Sequence, residues 1–211
     1  MIEKYLSVTG EFTSEKVIEK SRFITVSRRV ESEEQAKNFI AEIAAKNAGA
    51  THNCYAYIAD RTGNFLRFSD DGEPQGTAGM PMLEVLKNNG LCEIAVVVTR
   101  YFGGVKLGAG GLVRAYSGCV AENLAGAQQA EYVNCHVYGY EVDYTCVDAL
   151  LRYVRERGAI VTDVEYANSV TVTATVKQCE INGFNAGLVN ALNGRVNLKF
   201  KGEKFQPFVI K

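Results

Sequence analysis

The scarcities of this sequence exclude several classes of protein. Proline occurs only 3 times in 211 residues, and no polar low-complexity tail is present. The 47% hydrophobic and 22% charged residues are those of an ordinary globular chain, long enough for one large domain or two small ones. The longest apolar runs reach about five residues, against the roughly 20 that a membrane-spanning helix needs. The opening "MIEKYLSVTG" has no basic region followed by an apolar segment, so export is not expected and the cytoplasm is. Formal net charge is -1, so a nucleic-acid partner would have to be held by a local patch rather than by a general basic bias. The 2 histidines include no H-E-x-x-H pair, and none of the 6 cysteines (Cys54, Cys92, Cys119, Cys135, Cys146, Cys179) forms C-x-x-C. Reduced, mostly buried thiols are expected, with no disulfide framework and no zinc site.

The pattern that is present divides the chain into halves. Residues 14–20 and 21–30 carry short strand-like alternations around a turn at 19–21, with Phe23, Val26 and Val30 as core candidates. Ser32 and Gln35 have capping-box spacing before an apolar stripe of Ala36, Phe39, Ile40, Ile43 and Ala44, which Gly49 should stop. "NCYAYIAD" reads as a strand with Cys54, Ala56 and Ile58 on one face and Tyr55 and Tyr57 on the other; "FLRF" is its expected neighbour. A helix is expected near 80–88 with Leu83 and Leu86 inward. "EIAVVVTRYF" reads as a central strand covered on both faces. Leu112, Val113, Tyr116, Val120 and Leu124 then repeat at helical spacing.

The second half, from near Cys135, reads strand, helix, strand, strand, helix, strand. Thr145 and Asp148 offer a cap for the stripe Val147, Leu150, Leu151 and Val154, and Val170, Val172, Ala174 and Val176 alternate with threonines. The order βαββαβ is the ferredoxin-like arrangement. Domains are placed at 1–131 and 135–211, joined at a soft boundary near 129–134.

Two stretches carry the chemistry. In the first, two glycine pairs and a lone glycine (Gly103, Gly104, Gly108, Gly110, Gly111) crowd into nine positions around Lys106, between Arg100 and Arg114. Glycine admits positive φ and lets backbone N–H groups converge on an anion, here close to a helix start. Gly108 and Gly110 begin G-x-G-x-x-G, but Val113 occupies the third position and no G-K-[ST] is present, so neither dinucleotide nor Walker-type binding follows. A tight strand-to-helix passage without a ligand is the competing reading. Arg100 and Arg114 either form an exposed basic patch or pair internally with Asp70, Asp71 or Glu73. In the second stretch, "SDDGEPQGTAG" at 69–79, Asp70, Asp71 and Glu73 could hold Mg²⁺ or simply cap local turns. His52 and Cys54 share a strand face about 7 Å apart, too far for a nucleophile–base hydrogen bond, and His52 reads as a polar cross-strand or loop contact.

"EIAVVVTRYFGGVKLGAGGLVRAYS" resembles the signature of the IMPACT family, whose bacterial members are also called the YigZ family. "KSRFI" at 20–24, "HNCYAY" at 52–57 and "SDDGEPQGTAGMPML" at 69–83 resemble it in the same order, and together they cover most of 15–120. The resemblance implies an α+β fold: an N-terminal βαβ-type two-layer domain like domain 2 of ribosomal protein S-five, followed by the ferredoxin-like domain. The two folds also adjoin in the translocating elongation factor, which suggests RNA or the ribosome by fold analogy. Eukaryotic relatives carry an extra N-terminal domain and regulate the response to amino-acid starvation; this chain begins almost directly with the shared portion, so that role does not carry over intact. The proline dipeptidase activity attached to some bacterial relatives does not fit 2 histidines without clustered ligands.

Residue by residue, the resemblance places Arg100, Tyr101, Phe102, Gly103, Gly104, Lys106, Gly108, Gly110, Gly111 and Arg114 in the family's central patch, and Asp70, Asp71, Gly72, Glu73 and Pro74 in its acidic loop. The sequence is therefore read as a non-catalytic, cytoplasmic protein without cofactor or membrane that binds structured RNA, the ribosome or a translation-associated protein. Arg100, Lys106 and Arg114 would face phosphates, and Tyr101 or Phe102 would stack on a base. The alternatives are an enzyme acting on a small phosphorylated substrate in a closed pocket uniting Asp70, Glu73, Arg100 and Lys106, and a protein-interaction module.

Overall fold

The computed structural model describes residues 3–210. The fold is α+β, and the chain separates into two compact units, one of residues 4–132 with 207–210 and one of residues 133–206.

The first unit contains β1 (Lys4–Val8), β2 (Glu11–Ile18), β3 (Ser21–Arg29), α1 (Glu33–Lys46), β4 (His52–Ile58), β5 (Leu66–Ser69), α2 (Gly79–Asn88), β6 (Ile94–Tyr101) and α3 (Gly108–Gly126). Five strands form one sheet in the order β2-β3-β6-β4-β5, every neighbouring pair antiparallel. β6 lies at its centre because its side chains are apolar on both faces. Ile94, Val96 and Val98 pack with Phe23, Cys54, Ala56 and Ile58 under α2 and α3, whereas Ala95 and Val97 pack with Val26, Tyr57 and the α1 residues Ala36, Phe39 and Ile43. The expectation of two layers is thereby corrected: the second apolar sheet face is covered by α1, which gives three. Phe23 and Val26, both core as expected, point to opposite faces because their spacing is odd.

Local chemistry sets the connections. The β2–β3 hairpin turns on Glu19 and Lys20, at φ 46° and 64°, the left-handed pair that a two-residue hairpin requires. Ser32 Oγ accepts from Gln35 N at 3.2 Å, and the Gln35 side chain accepts in return from Glu31 N, one residue before the cap. α1 ends earlier than Gly49 because Asn47 Nδ2 donates to Ile43 O at 2.9 Å and occupies a terminal carbonyl. On α3, Leu112, Tyr116, Val120 and Leu124 are buried as their spacing requires, but Val113 is exposed.

The second unit takes β7 (Gln129–Val142) from Val133 onward, then α4 (Val147–Glu156), β8 (Ile160–Tyr166), β9 (Val170–Lys177), α5 (Ile181–Ala191) and most of β10 (Asn197–Val209). β9 pairs antiparallel with β7 and β8, and β10 pairs with β7. Val170, Val172, Ala174 and Val176 close on Leu150, Val154, Phe184 and Leu188. Thr145 does not cap α4 as expected; a single 3₁₀ turn, Tyr144–Cys146, leads into the helix without a side-chain cap.

Candidate nucleic-acid interface

The acidic loop between β5 and α2 is organised by its own backbone. Asp70 Oδ1 accepts from Ala78 N at 3.0 Å and Gly79 N at 2.8 Å, and Oδ2 accepts from Gly76 N at 2.8 Å. The carboxylate thus satisfies N–H groups at the start of α2, which has no capping side chain of its own. Partial burial opposes ionisation, but these three N–H donors win and hold the Asp70 pKa below its ordinary value. Asp71 and Gly72 are left-handed, at φ 43° and 84°. Asp71 Oδ2 accepts from Asn53 N at 2.5 Å, and its carbonyl accepts from His52 Nδ1 at 2.7 Å, so that ring nitrogen carries the proton.

Glu73 turns inward. Its Oε1 accepts from Arg100 Nη1 and from the Tyr116 hydroxyl, each at 2.7 Å, while His52 Nε2 stands 3.8 Å from Oε2. Arg100 is only 4% exposed. Its Nη2 also donates to Ser21 Oγ at 3.2 Å, and its guanidinium lies 5.4 Å from the rings of both Phe23 and Phe102. Burial, then the neighbouring Cys54 and Glu73, pushes the Tyr116 hydroxyl far above its usual pKa. Burial likewise pushes the Cys54 thiol up to about 12. The three carboxylates therefore face three different partners, and among the described residues no group of three or more His, Cys, Asp or Glu is placed to hold a metal ion.

The glycine stretch performs two tasks. Gly103 lies flat against the β2–β3 hairpin: a Cβ there would meet the Lys20 carbonyl oxygen at 1.9 Å, and its N–H donates to Ser21 Oγ at 3.3 Å. Gly104 and Gly108 take φ 88° and 69° to carry the chain into α3, and Gly110 faces open space. Gly108, Gly110 and Gly111 belong to the first turn of α3 rather than preceding it. No side chain caps this end and no acidic residue occupies its first turn. Beside it, Ile18, Glu19, Val105, Lys106, Leu107, Gly111, Arg114 and Ala115 line an open cavity of about 460 Å³.

The residues expected to act together are thus divided. Lys106 and Arg114 are exposed and share the cavity; of the two readings open for Arg100, internal pairing is the one found, with Glu73 as partner, so it is not available to face a phosphate, because the burial that shields it also demands a counter-charge. Tyr101 is engaged as well, its hydroxyl donating to Asn47 Oδ1 at 3.0 Å and its ring 5.7 Å from the Arg22 guanidinium. Phe102 is 47% exposed. Asp70, Glu73 and Arg100 are absent from the walls of the cavity that Lys106 lines. Lys20 is not among the site residues expected from sequence, yet the hairpin sets it against Gly103; its place at the head of "KSRFI" is the signal that points to it.

An antiparallel sheet with helices on both faces, an uncapped glycine-rich helix start beside a basic cavity, and a following βαββαβ unit define a class of small two-unit α+β proteins. The chain belongs to the IMPACT family. The Impact N-terminal domain matches residues 19–124, which include Lys20, the acidic loop and the whole glycine stretch, and a domain of unknown function, DUF1949, matches residues 141–195. The IMPACT family member YvyE of Bacillus subtilis (strain 168) is 40% identical over 199 residues, covering 94% of this chain and 92% of that protein. The IMPACT family member YigZ of Escherichia coli (strain K12) is 33% identical over 199 residues, covering 93% and 98%. A crystal structure described as that of a hypothetical protein shares 32% identity at a TM-score of 0.63, covering 94% of this chain and 97% of its own.

Proposed function

We propose that this is a non-catalytic cytoplasmic protein that binds RNA, associates with the ribosome and acts in the regulation of translation. Lys20, Lys106 and Arg114 contact phosphates in this reading, with the exposed N–H groups at the start of α3 beside them. The observation that carries it is a contrast in charge pairing. Elsewhere in the first unit Arg22, Arg28, Arg29, Arg61 and Arg100, and Lys4, Lys16, Lys37, Lys46 and Lys87, are matched by carboxylates; Arg67 is the exception, its Nη1 donating to the Leu66 carbonyl at 2.8 Å and its guanidinium lying 5.2 Å from the Phe65 ring. Among the described residues Lys20, Lys106 and Arg114 have no such partner; Lys106 and Arg114 line one cavity together with Glu19, and the Lys20 backbone lies against the glycine loop beside it. A chain with net charge -1 that leaves cations unpaired at this junction has a local patch to offer a polyanion.

The fold analogy supports the same reading. The first unit is taken as a relative of domain 2 of ribosomal protein S-five, elaborated by α1. The second is taken as ferredoxin-like, supported by its βαββαβ order and by β10 pairing with β7. The test is fluorescence anisotropy with a labelled ribosomal RNA fragment across a salt series. Lys106→Ala with Arg114→Ala should weaken binding and make the salt slope shallower by about 0.7 for each single-strand phosphate that is no longer neutralised. Unchanged affinity and slope in a folded variant would overturn the assignment.

A further inference from the structure

We infer that the RNA recognised here is single-stranded, and that Phe102 is the platform on which one unpaired base stacks. This rests on the RNA reading of the surrounding surface and narrows it. Phe102 stands at the end of β6, beside Gly103, whose backbone abuts the Lys20 carbonyl, and four residues before Lys106 on the cavity wall.

Exposure of a large ring is not unusual by itself; what sets Phe102 apart is that a ring 47% exposed is held in a fixed position. Its backbone is pinned on both sides: Phe102 N donates to Thr51 Oγ1 at 3.1 Å, and Gly103 N to Ser21 Oγ at 3.3 Å. The ring lies 5.4 Å from the Arg100 guanidinium, and Arg100 is itself fixed by Glu73 at 2.7 Å. The buried ion pair therefore acts as the support of an exposed aromatic platform, and the platform is ordered before any ligand arrives. Tyr101 is the less suited of the two, being less exposed and having its hydroxyl committed to Asn47 Oδ1.

An exposed ring whose chain runs on directly to the unpaired Lys106 suits one polyanion in particular. In an RNA duplex the bases are stacked on one another and show only their edges. An unpaired base can be splayed onto a ring while the adjacent phosphates meet lysine and arginine. Stacking of this kind tolerates every base, so the preference is for strandedness and not for sequence.

The test uses the full chain and a short RNA carrying one 2-aminopurine, either single-stranded or annealed to its complement. The wild type should bind the single strand more tightly than the duplex and change the 2-aminopurine emission as the base leaves its neighbours for the ring. Phe102→Leu should lower single-strand affinity by about tenfold, abolish that change and leave the salt slope intact; Phe102→Trp should restore the affinity. Thermal melts of the two variants check that the half-exposed position does not disturb folding. Equal affinity for duplex and single strand, or an emission change unaltered in Phe102→Leu, overturns the inference while leaving the phosphate contacts standing. Failure of the wild type to bind either RNA removes the RNA reading and this inference with it.

Discussion

Glu73 and Arg100 are 27 residues apart in sequence and 2.7 Å apart in the interior, where the Tyr116 hydroxyl completes the carboxylate's contacts. Removal of one member of a buried pair leaves the other charge uncompensated, at a cost of about 3–5 kcal/mol. Glu73→Ala should therefore destabilise the first unit by that amount in a denaturant titration. A change under about 1 kcal/mol, the scale of an exposed pair, would mean that Arg100 is hydrated rather than buried.

The acidic loop carries a pH dependence whose sign follows from Asp70. The three N–H donors lower its folded pKa below the ordinary value of 3.8, so the unfolded chain binds the proton more readily. The stabilisation is thus fully present above that value and is lost as pH falls through the folded pKa. Asp70→Ala should cost about 1–2 kcal/mol at neutral pH, and the gap from wild type should narrow as pH falls below about 4. A gap independent of pH between about 7 and about 2.5 would contradict the anionic cap.

Gly103 offers a steric test with an internal control. A methyl group there would sit 1.9 Å from the Lys20 carbonyl oxygen, whereas one at Gly110 meets nothing within 4 Å. Gly103→Ala should cost about 3 kcal/mol by forcing the hairpin from the loop. Gly110→Ala, in a helix, should be neutral or stabilising by up to about 1 kcal/mol. Equal effects of the two substitutions in a thermal melt would contradict the close approach.

Much of this architecture is legible in the sequence because it rests on short-range periodicity. The alternation of Cys54, Ala56 and Ile58 with Tyr55 and Tyr57, the Ser32–Gln35 spacing and the apolar run of β6 each fix a local element and its buried faces. What is not legible depends on which distant residues meet. Arg100 could equally have faced solvent or an acid, and only the folding of the 69–79 loop over the end of β6 selects Glu73. The same holds for Lys20, whose carbonyl meets a glycine that follows it by most of the domain. The third layer escapes a sequence reading because α1 and the α2–α3 pair look alike as amphipathic stripes. Sequence spacing does not say which sheet face each will cover.

The thiols should separate by burial. Desolvation pushes Cys54 up to about 12 and Cys119 up to about 11, while Cys179 is exposed. At about pH 8 the buried pair therefore holds almost no thiolate, the reactive form. Timed alkylation followed by peptide mapping should label Cys179 first, and should label Cys54 and Cys119 only at the rate of unfolding. Labelling of Cys54 at the rate of Cys179 in the native protein would contradict the buried network.

If Lys20, Lys106 and Arg114 hold ribosomal RNA, as proposed, co-sedimentation with ribosomes and their subunits across a salt series should reveal it. Binding should weaken steeply as salt rises and should be reduced in Lys106→Ala with the fold intact. Absence of the wild type from the ribosomal pellet even at low salt, or retention of Lys106→Ala at wild-type levels, would contradict it.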